Sequence, residues 1–171
     1  MLDDIIKDRI DSKKPREEGL TYMIDRLPSI DTEGIETLSP IVDMVKIYGA
    51  YPLLIPDIIL EKKIRIYHKH DVQVSLGSTM TEYAIIENVF ERFITEAARI
   101  GIDIIEISEN NRDLTLDEKE KIVKAIESKN MRYLWKIGRK DPRHQLTVEQ
   151  ILSRIEQSIK LGSNKVILEA N

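Results

Sequence analysis

The sequence predicts an α/β fold in which about six parallel strands alternate with helices. Short apolar runs bounded by turn residues recur along the chain, and such runs are typical of buried strands. Amphipathic helical patterns follow several of these runs, and alternating β and α units require a parallel sheet. Charged residues collect where the runs end, as in Arg139-Lys140-Asp141 after the run from Tyr133 to Ile137. This pattern is compatible with both a doubly wound sheet and a (β/α) barrel.

Length and composition describe one globular domain covering residues 1–171. With 42% hydrophobic and 33% charged residues, a chain of this length can bury one core and is short for two domains. The net charge of −4 argues against general nucleic-acid binding. The sequence shows no apolar run of bilayer length, no N-terminal leader and no cysteine. We therefore expect a cytoplasmic protein without a membrane or nucleic-acid partner, disulfides or thiolate metal sites.

The first half of the chain contains an N-terminal arm, residues 1–18, followed by three predicted strands. These strands are, in order, Leu20 to Ile24, Ile41 to Ile47 and Val72 to Leu76. A weak helix is predicted around Thr32 to Leu38, where Asp31 could cap its first turn. A longer helix is predicted from Pro56, which suits a first turn, to about Lys69.

The second half repeats the arrangement with three more predicted strands. They are Ile102 to Ile107, Tyr133 to Ile137 and Lys165 to Ala170. Apolar residues from Phe90 to Ala97 share one helical face, and Gly101 suits the end of that helix. Two capping boxes predict further helix starts: Thr115 with Glu118, and Thr147 with Gln150. A complete barrel takes about 250 residues, so six units would supply roughly three quarters of one.

Polar residues after the predicted strands form the candidate site, because the carboxyl ends of parallel strands meet at one edge, where chemistry is usually performed. Three carboxylates there would suit Mg²⁺, which prefers oxygen ligands: Asp25, Glu82 and Glu106. Lys46 and Lys140 could neutralise an anionic substrate or transfer a proton. Candidates for substrate contacts are Thr79, Ser108 and Arg139. Each residue taken singly also fits the ordinary polarity of strand ends.

The order and spacing of several short motifs resemble the phosphosulfolactate synthase family along essentially the whole chain. The motifs are Lys14-Pro15-Arg16, Gly19-Leu20-Thr21 with Ile24-Asp25, Asp43 with Val45-Lys46, Gly77 and Thr79 with Glu82, Glu106-Ile107-Ser108, Gly138 with Lys140-Asp141, and Lys165-Val166-Ile167 with Glu169-Ala170. Each motif is short, and the combined series is fairly specific.

The resemblance implies a TIM-type (β/α)8 barrel that acts as a carbon–sulfur lyase or synthase. Its reaction would be a Mg²⁺-dependent addition of sulfite to phosphoenolpyruvate, giving phosphosulfolactate on the route to coenzyme M. Asp25, Glu82 and Glu106 match the acidic strand-end positions of the family, and Lys46 and Lys140 match the basic ones. In the implied mechanism, Mg²⁺ and one lysine hold the substrate carboxylate and stabilise the enolate-like charge. The second lysine delivers a proton to carbon.

The chain also departs from the family pattern. Arg26-Leu27 stands where the family has Lys-Gly, Lys136 stands where it has glutamate, and the last family motif is shortened to Glu169-Ala170-Asn171. These departures favour a second hypothesis, a non-catalytic binding or structural relative, and the family includes plant heat-stress proteins. A buried Lys136 should pair with Glu106 or another interior acid. Exposed edges of a six-unit sheet predict a homo-oligomer.

Overall fold

A computed structural model describes residues 13–169 and shows six parallel strands in one sheet. The strands are β1 (Tyr22–Asp25), β2 (Met44–Ile47), β3 (Gln73–Leu76), β4 (Ile104–Ser108), β5 (Arg132–Ile137) and β6 (Val166–Leu168). They lie in the order of the sequence, β1-β2-β3-β4-β5-β6, and every adjacent pair is parallel. A doubly wound sheet reverses its strand order at a switch point. The sequential order instead belongs to a curled, partial (β/α) barrel, which agrees with the barrel fold that the family resemblance implies.

Helices connect the strands throughout the described part of the chain. They are α1 (Thr32–Leu38), α2 (Tyr51–Leu54), α3 (Asp57–Lys69), α4 (Ser78–Ile86), α5 (Phe90–Ile100), α6 (Leu116–Glu127) and α7 (Val148–Lys160), with a 3-10 turn at Pro142–His144. Both predicted capping boxes are present at the starts of α6 and α7. Gly101 ends α5 with a φ of 93°. None of these helices within residues 13–169 is long and apolar enough to cross a lipid bilayer.

The structure differs from the sequence predictions mainly at element boundaries and in two helices. Strands β2 and β4 begin later than predicted, at Met44 and Ile104. Helices α2 and α4 were not predicted. The buried residues of α4 include polar and apolar side chains, so no one-sided apolar stripe marks it. Most of the predicted N-terminal arm, residues 1–12, and the last residue of the predicted sixth strand lie outside the described residues.

The two faces of the sheet have different neighbours. Alternate strand residues such as Val45, Ile105 and Trp135 join a large apolar core with the helices, and we call this the outer face. The intervening residues face the interior of the curl, which we call the inner face. Towards the starts of the strands, the inner face carries a small apolar cluster of Met44, Ile104 and Leu134. Since strand residues alternate, Lys46, Glu106 and Lys136 lie on this inner face, two positions beyond the cluster.

Candidate functional site

The predicted site residues lie at the carboxyl-terminal end of the sheet, which we call the mouth. Asp25 ends β1, Lys46 is the third residue of β2, and Glu106 is the central residue of β4. Glu82 lies on α4, directly after β3, and Lys140 lies in the loop after β5. The strand-end reasoning thus placed these residues at one end of the sheet. It did not determine which face each side chain occupies.

A buried ion pair between Lys46 and Glu106 forms the centre of the inner face. Lys46 Nζ lies 2.9 Å from Glu106 Oε1. The Glu106 side chain is about fully buried, whereas that of Lys46 is 15% exposed at the mouth. A lysine ammonium has three donors, and one is directed at Glu106. Its other donors have no hydrogen-bond partner among the described residues, and the side chain is partly exposed, so Lys46 can contact an anion that enters the mouth.

Tyr22 and Ser75 complete the polar centre, and sequence reasoning missed both. The Tyr22 hydroxyl donates to Glu106 Oε1 over 2.7 Å and also contacts the Ser75 hydroxyl. Burial, followed by the charge of Glu106, raises the pKa of Tyr22 well above its ordinary value, so the hydroxyl remains a donor. A polar serine between Val74 and Leu76 was the available sequence signal for an inner-face polar position.

The turn from β3 into α4 fixes the second oxygen of Glu106. The backbone N–H of Ser78 donates to Glu106 Oε2 over 3.1 Å. Gly77 allows Lys46 to pass close to this turn, since a Cβ at position 77 would lie 3.2 Å from Lys46 Cδ. Both oxygens of Glu106 are consequently engaged by protein donors, and the direction of the Lys46 side chain is determined by its surroundings.

A second inner-face ion pair joins Lys136 to Glu169. The Lys136 ammonium contacts Glu169 Oε2, and the Lys136 side chain is only 5% exposed. This confirms the prediction that Lys136 pairs with an interior acid; the acid is Glu169, because Lys46 already holds Glu106. Gly138 permits the contact: its φ is 125°, and a Cβ there would lie 2.7 Å from the Cβ of Glu169.

Asp25 points away from the mouth interior, onto the outer face. It forms a 2.6 Å ion pair with Lys63 on α3 and accepts a 2.9 Å hydrogen bond from Tyr67. The Leu27 N–H donates to its other oxygen over 2.8 Å, and Lys63 also donates to the Leu27 carbonyl. Asp25 and Lys63 together hold the loop after β1. Burial and the negative charge of Asp25 raise the pKa of Tyr67 well above its usual range.

Glu82 organises the loop that follows β4. It accepts hydrogen bonds from the Ser108 hydroxyl and from the backbone N–H groups of Asn110 and Asn111, the latter two at 3.1 and 3.2 Å. Ser108, a predicted substrate contact, is therefore buried against Glu82. Thr79, another predicted contact, is exposed on the first turn of α4. The structure brings Glu82 and Ser108 together and leaves Thr79 accessible from solvent.

The loop after β5 carries the remaining predicted residues. Arg139 contacts Asp113, which also accepts a 2.7 Å hydrogen bond from Arg154 of α7. The hydrogen bond from Arg154 is the main reason that the pKa of Asp113 lies below its usual range. Lys140 is exposed, and in the described part of the chain its side chain has no hydrogen-bond or ion-pair partner. Arg139 thus anchors the loop, and Lys140 is the accessible cation.

A cavity of about 570 Å³ lies at the opposite end of the sheet. It is lined by residues at or before the strand starts, including Asp43, Gln73 and Arg132. Functional groups of parallel α/β folds gather at the carboxyl ends, and the amino ends serve stability. The charged residues of the mouth therefore identify the candidate site better than cavity size does.

The arrangement does not fit the predicted magnesium ligand set. Magnesium needs nearly ideal octahedral coordination by oxygen atoms that are free to bind it. Asp25 lies on the outer face with Lys63, Glu106 is engaged by Lys46, and Glu82 is engaged by the loop after β4. Among residues 13–169, no cluster of three or more acidic, histidine or cysteine residues could hold a metal ion. Bringing the three carboxylates together would require breaking these contacts.

Solved structures that are similar to this chain show its fold alone. N-acetylneuraminate lyase from Fusobacterium nucleatum has a TM-score of 0.53 at 11% identity, over 88% of this chain and 56% of that chain. D-Psicose 3-epimerase from Clostridium cellulolyticum H10 has a TM-score of 0.52 at 14% identity, over 87% of this chain and 62% of that chain. These likenesses agree with a curled portion of a (β/α) barrel.

Sequence relatives and a family model identify the group of proteins. The phosphosulfolactate synthases of Methanocaldococcus jannaschii and Bacillus subtilis are 26% and 29% identical over 90% and 93% of this chain. Protein HEAT-STRESS-ASSOCIATED 32 of Arabidopsis thaliana is 23% identical over 93%. The chain spans between 62% and 65% of the length of these relatives. The model of (2R)-phospho-3-sulfolactate synthase (ComA) matches residues 10–171, so the chain belongs to this family.

Proposed function

We propose that the mouth binds phosphoenolpyruvate and that the chain supports addition of sulfite to it, the reaction that the family name describes. The observation that carries this proposal is the inner-face pair of Lys46 and Glu106. It holds the ammonium of a partly exposed lysine side chain at the end of the sheet where a small anion can enter. Lys140 adds a second, exposed cation on the loop after β5. Both lysines match basic positions of the family motifs.

The proposed reaction is an addition to a carbon–carbon double bond. The sulfur lone pair of sulfite attacks the methylene carbon of phosphoenolpyruvate, and the π electrons move towards the adjacent carbon and its carboxylate. The ammonium of Lys46 stabilises the negative charge that develops there. Lys140 gives a proton to the adjacent carbon, which completes phosphosulfolactate without loss of phosphate. Glu106 acts as a positioning residue, because it fixes the direction of Lys46.

The proposal assigns no step to a metal ion. The resemblance implies Mg²⁺, but the carboxylate oxygens of Asp25, Glu82 and Glu106 already have protein partners, each in a different place. Charge stabilisation is therefore derived from Lys46 alone. A cytoplasmic location stays a prediction from the sequence.

Product formation from phosphoenolpyruvate and sulfite, followed by ³¹P NMR and mass spectrometry, tests the proposal. We expect Lys46→Met and Lys140→Met each to lower the rate by about 100-fold or more, since positioned charge and proton transfer each contribute on that order. Lys121→Met is the matched control, because Lys121 is exposed and pairs with Asp117 on α6. Product formation that is unchanged in Lys46→Met would refute the proposed site.

A second candidate function is a binding protein of the same family without catalysis. Two predicted substrate contacts, Ser108 and Arg139, are engaged by Glu82 and Asp113, which favours this candidate. Calorimetric titration distinguishes the two functions. Binding of phosphoenolpyruvate without product formation favours the binding protein, whereas absence of both binding and product excludes phosphoenolpyruvate as the ligand of this chain.

A further inference from the structure

Positive and negative side chains alternate across the inner face of the sheet. Lys46 on β2 pairs with Glu106 on β4, and Lys136 on β5 pairs with Glu169, directly after β6. Every acidic side chain that reaches this face in the described residues therefore has an ammonium partner. The pattern forms two neutral pairs rather than a group of free carboxylates.

Glu169 is the more exposed of the two inner-face carboxylates: its side chain is 20% exposed, against 1% for Glu106. Its backbone N–H donates to the Ile137 carbonyl over 2.8 Å, which aligns residue 169 with the end of β5. Gly138 leaves room for its Cβ. Lys136 then reaches Glu169 Oε2 from β5. Glu106 lies two residues before the register partner of Lys136 on β4. It already accepts hydrogen bonds from other donors.

A divalent cation at Glu169 would meet an ammonium group instead of a second carboxylate. Two cations a few ångströms apart repel each other strongly where water is partly excluded. Magnesium and manganese also prefer sites with several available oxygen ligands. The buried Lys136 ammonium satisfies the charge of Glu169 without any added ion.

We propose that Lys136 takes the place of a divalent cation at Glu169, so that the mouth carries its positive charge on lysines and holds its anionic ligand without a metal. The ligand part of this inference rests on the proposed function. The metal part depends only on Lys136 and Glu169. The accessible donors for the anion are those of Lys46 and Lys140, and Lys136 serves the carboxylate behind them.

Manganese titration, followed by electron paramagnetic resonance of the free ion and by calorimetry, tests the metal part. We expect no saturable Mn²⁺ site in the unaltered chain and one site in Lys136→Glu, where two carboxylates would face each other. Lys121→Glu is the matched control: it places a carboxylate four residues from Asp117 on the exposed surface of α6. Its affinity for Mn²⁺ should be at least about tenfold weaker, since exposed carboxylates are not held in a fixed geometry.

Lys136→Met keeps the inference testable if Lys136→Glu does not fold. It removes the ammonium at similar side-chain length and leaves Glu169 unneutralised, so we expect Mn²⁺ binding above that of the unaltered chain. The inference is overturned if the unaltered chain binds Mn²⁺ at one site that Glu169→Gln removes. It is also overturned if the folded Lys136 variants bind no more Mn²⁺ than the unaltered chain.

Titration of phosphoenolpyruvate into the unaltered chain, with EDTA or with Mg²⁺, tests the ligand part. We expect the two dissociation constants to agree within about twofold, well below the tenfold change that one lost charged contact produces. Binding that requires Mg²⁺ overturns metal-free recognition. Absence of phosphoenolpyruvate binding under both conditions refutes the proposed function instead, and the Mn²⁺ titrations still decide the role of Lys136.

Discussion

The buried pair of Asp25 and Lys63 allows a direct test of whether Asp25 is structural. The pair joins the end of β1 to α3, and the two side chains are 4% and 2% exposed. Replacing Lys63 by Met removes the ammonium and leaves a buried carboxylate whose remaining donors, among residues 13–169, are the Tyr67 hydroxyl and the Leu27 N–H. Breaking one side of a buried ion pair costs about 3–5 kcal/mol in free energy of unfolding.

This loss is large for a domain whose total stability is on the order of 5–15 kcal/mol. For a chain of this size each kcal/mol corresponds to about 2–4 °C, so Lys63→Met should lower the melting temperature by roughly 6–20 °C. Lys62→Met is the matched control on the same helix, since Lys62 is exposed. We expect the control to change stability by no more than about 0.5 kcal/mol.

Urea denaturation followed by circular dichroism measures both variants, and a double-mutant cycle isolates the pair. Lys63→Met should cost less in an Asp25→Asn background, because the carboxylate charge is already absent there. The difference should be about 1–3 kcal/mol for groups in direct contact. Equal costs of Lys63→Met in both backgrounds, or a cost no larger than that of Lys62→Met, would refute the structural role of Asp25.

Four further predictions concern the inner face, the loops and the edges of the sheet. Tyr22→Phe removes a donor to Glu106 and should lower the free energy of unfolding by about 1–2 kcal/mol in urea titrations. Gly138→Ala should cost about 1–3 kcal/mol, and more than Gly49→Ala, since only the former meets a close neighbour. The lowered pKa of Asp113 adds stability above its unfolded pKa of about 3.9, which is lost as pH falls through the native pKa. The urea stability difference between the unaltered chain and Asp113→Asn should therefore shrink below about pH 4, and a constant difference would contradict this. The edge strands β1 and β6 should mediate self-association, which sedimentation over a range of concentrations would detect; a stable monomer throughout would contradict it.

The fold was largely predictable because its signals are local. Capping boxes at Thr115 and Thr147 and the glycine at 101 mark helix ends through bonds between residues close in sequence. Helix α4 was missed because it is buried on several sides, which removes the one-sided apolar pattern. The starts of β2 and β4 were placed too early because the preceding apolar residues Ile41 and Ile102 lie in connecting segments.

The site was less predictable because its partners are distant in sequence. Lys46 and Glu106 are 60 residues apart, and Tyr22 and Glu106 are 84 residues apart. The position of Asp25 at the end of a strand places it at the mouth. Its face follows only from the alternation of side chains along β1, which assigns Asp25 to the outer face. That alternation was available from the sequence, since Asp25 is two residues from Met23 and both belong to the apolar side.

The alternation of side chains along the strands also explains why acidic residues at one end of the sheet have different roles. Outer-face Asp25 is covered by α3, so its charge must be balanced by a buried helix residue, and it stabilises the fold. Inner-face Glu106 and Glu169 pair instead with strand lysines, and of these Lys46 is partly exposed whereas Lys136 is buried. The outer pair can change without altering the charge of the mouth, whereas a change at Lys136 alters that charge directly. Binding of Mn²⁺ should therefore change with substitutions at Lys136 and be unaffected by substitutions at Lys63.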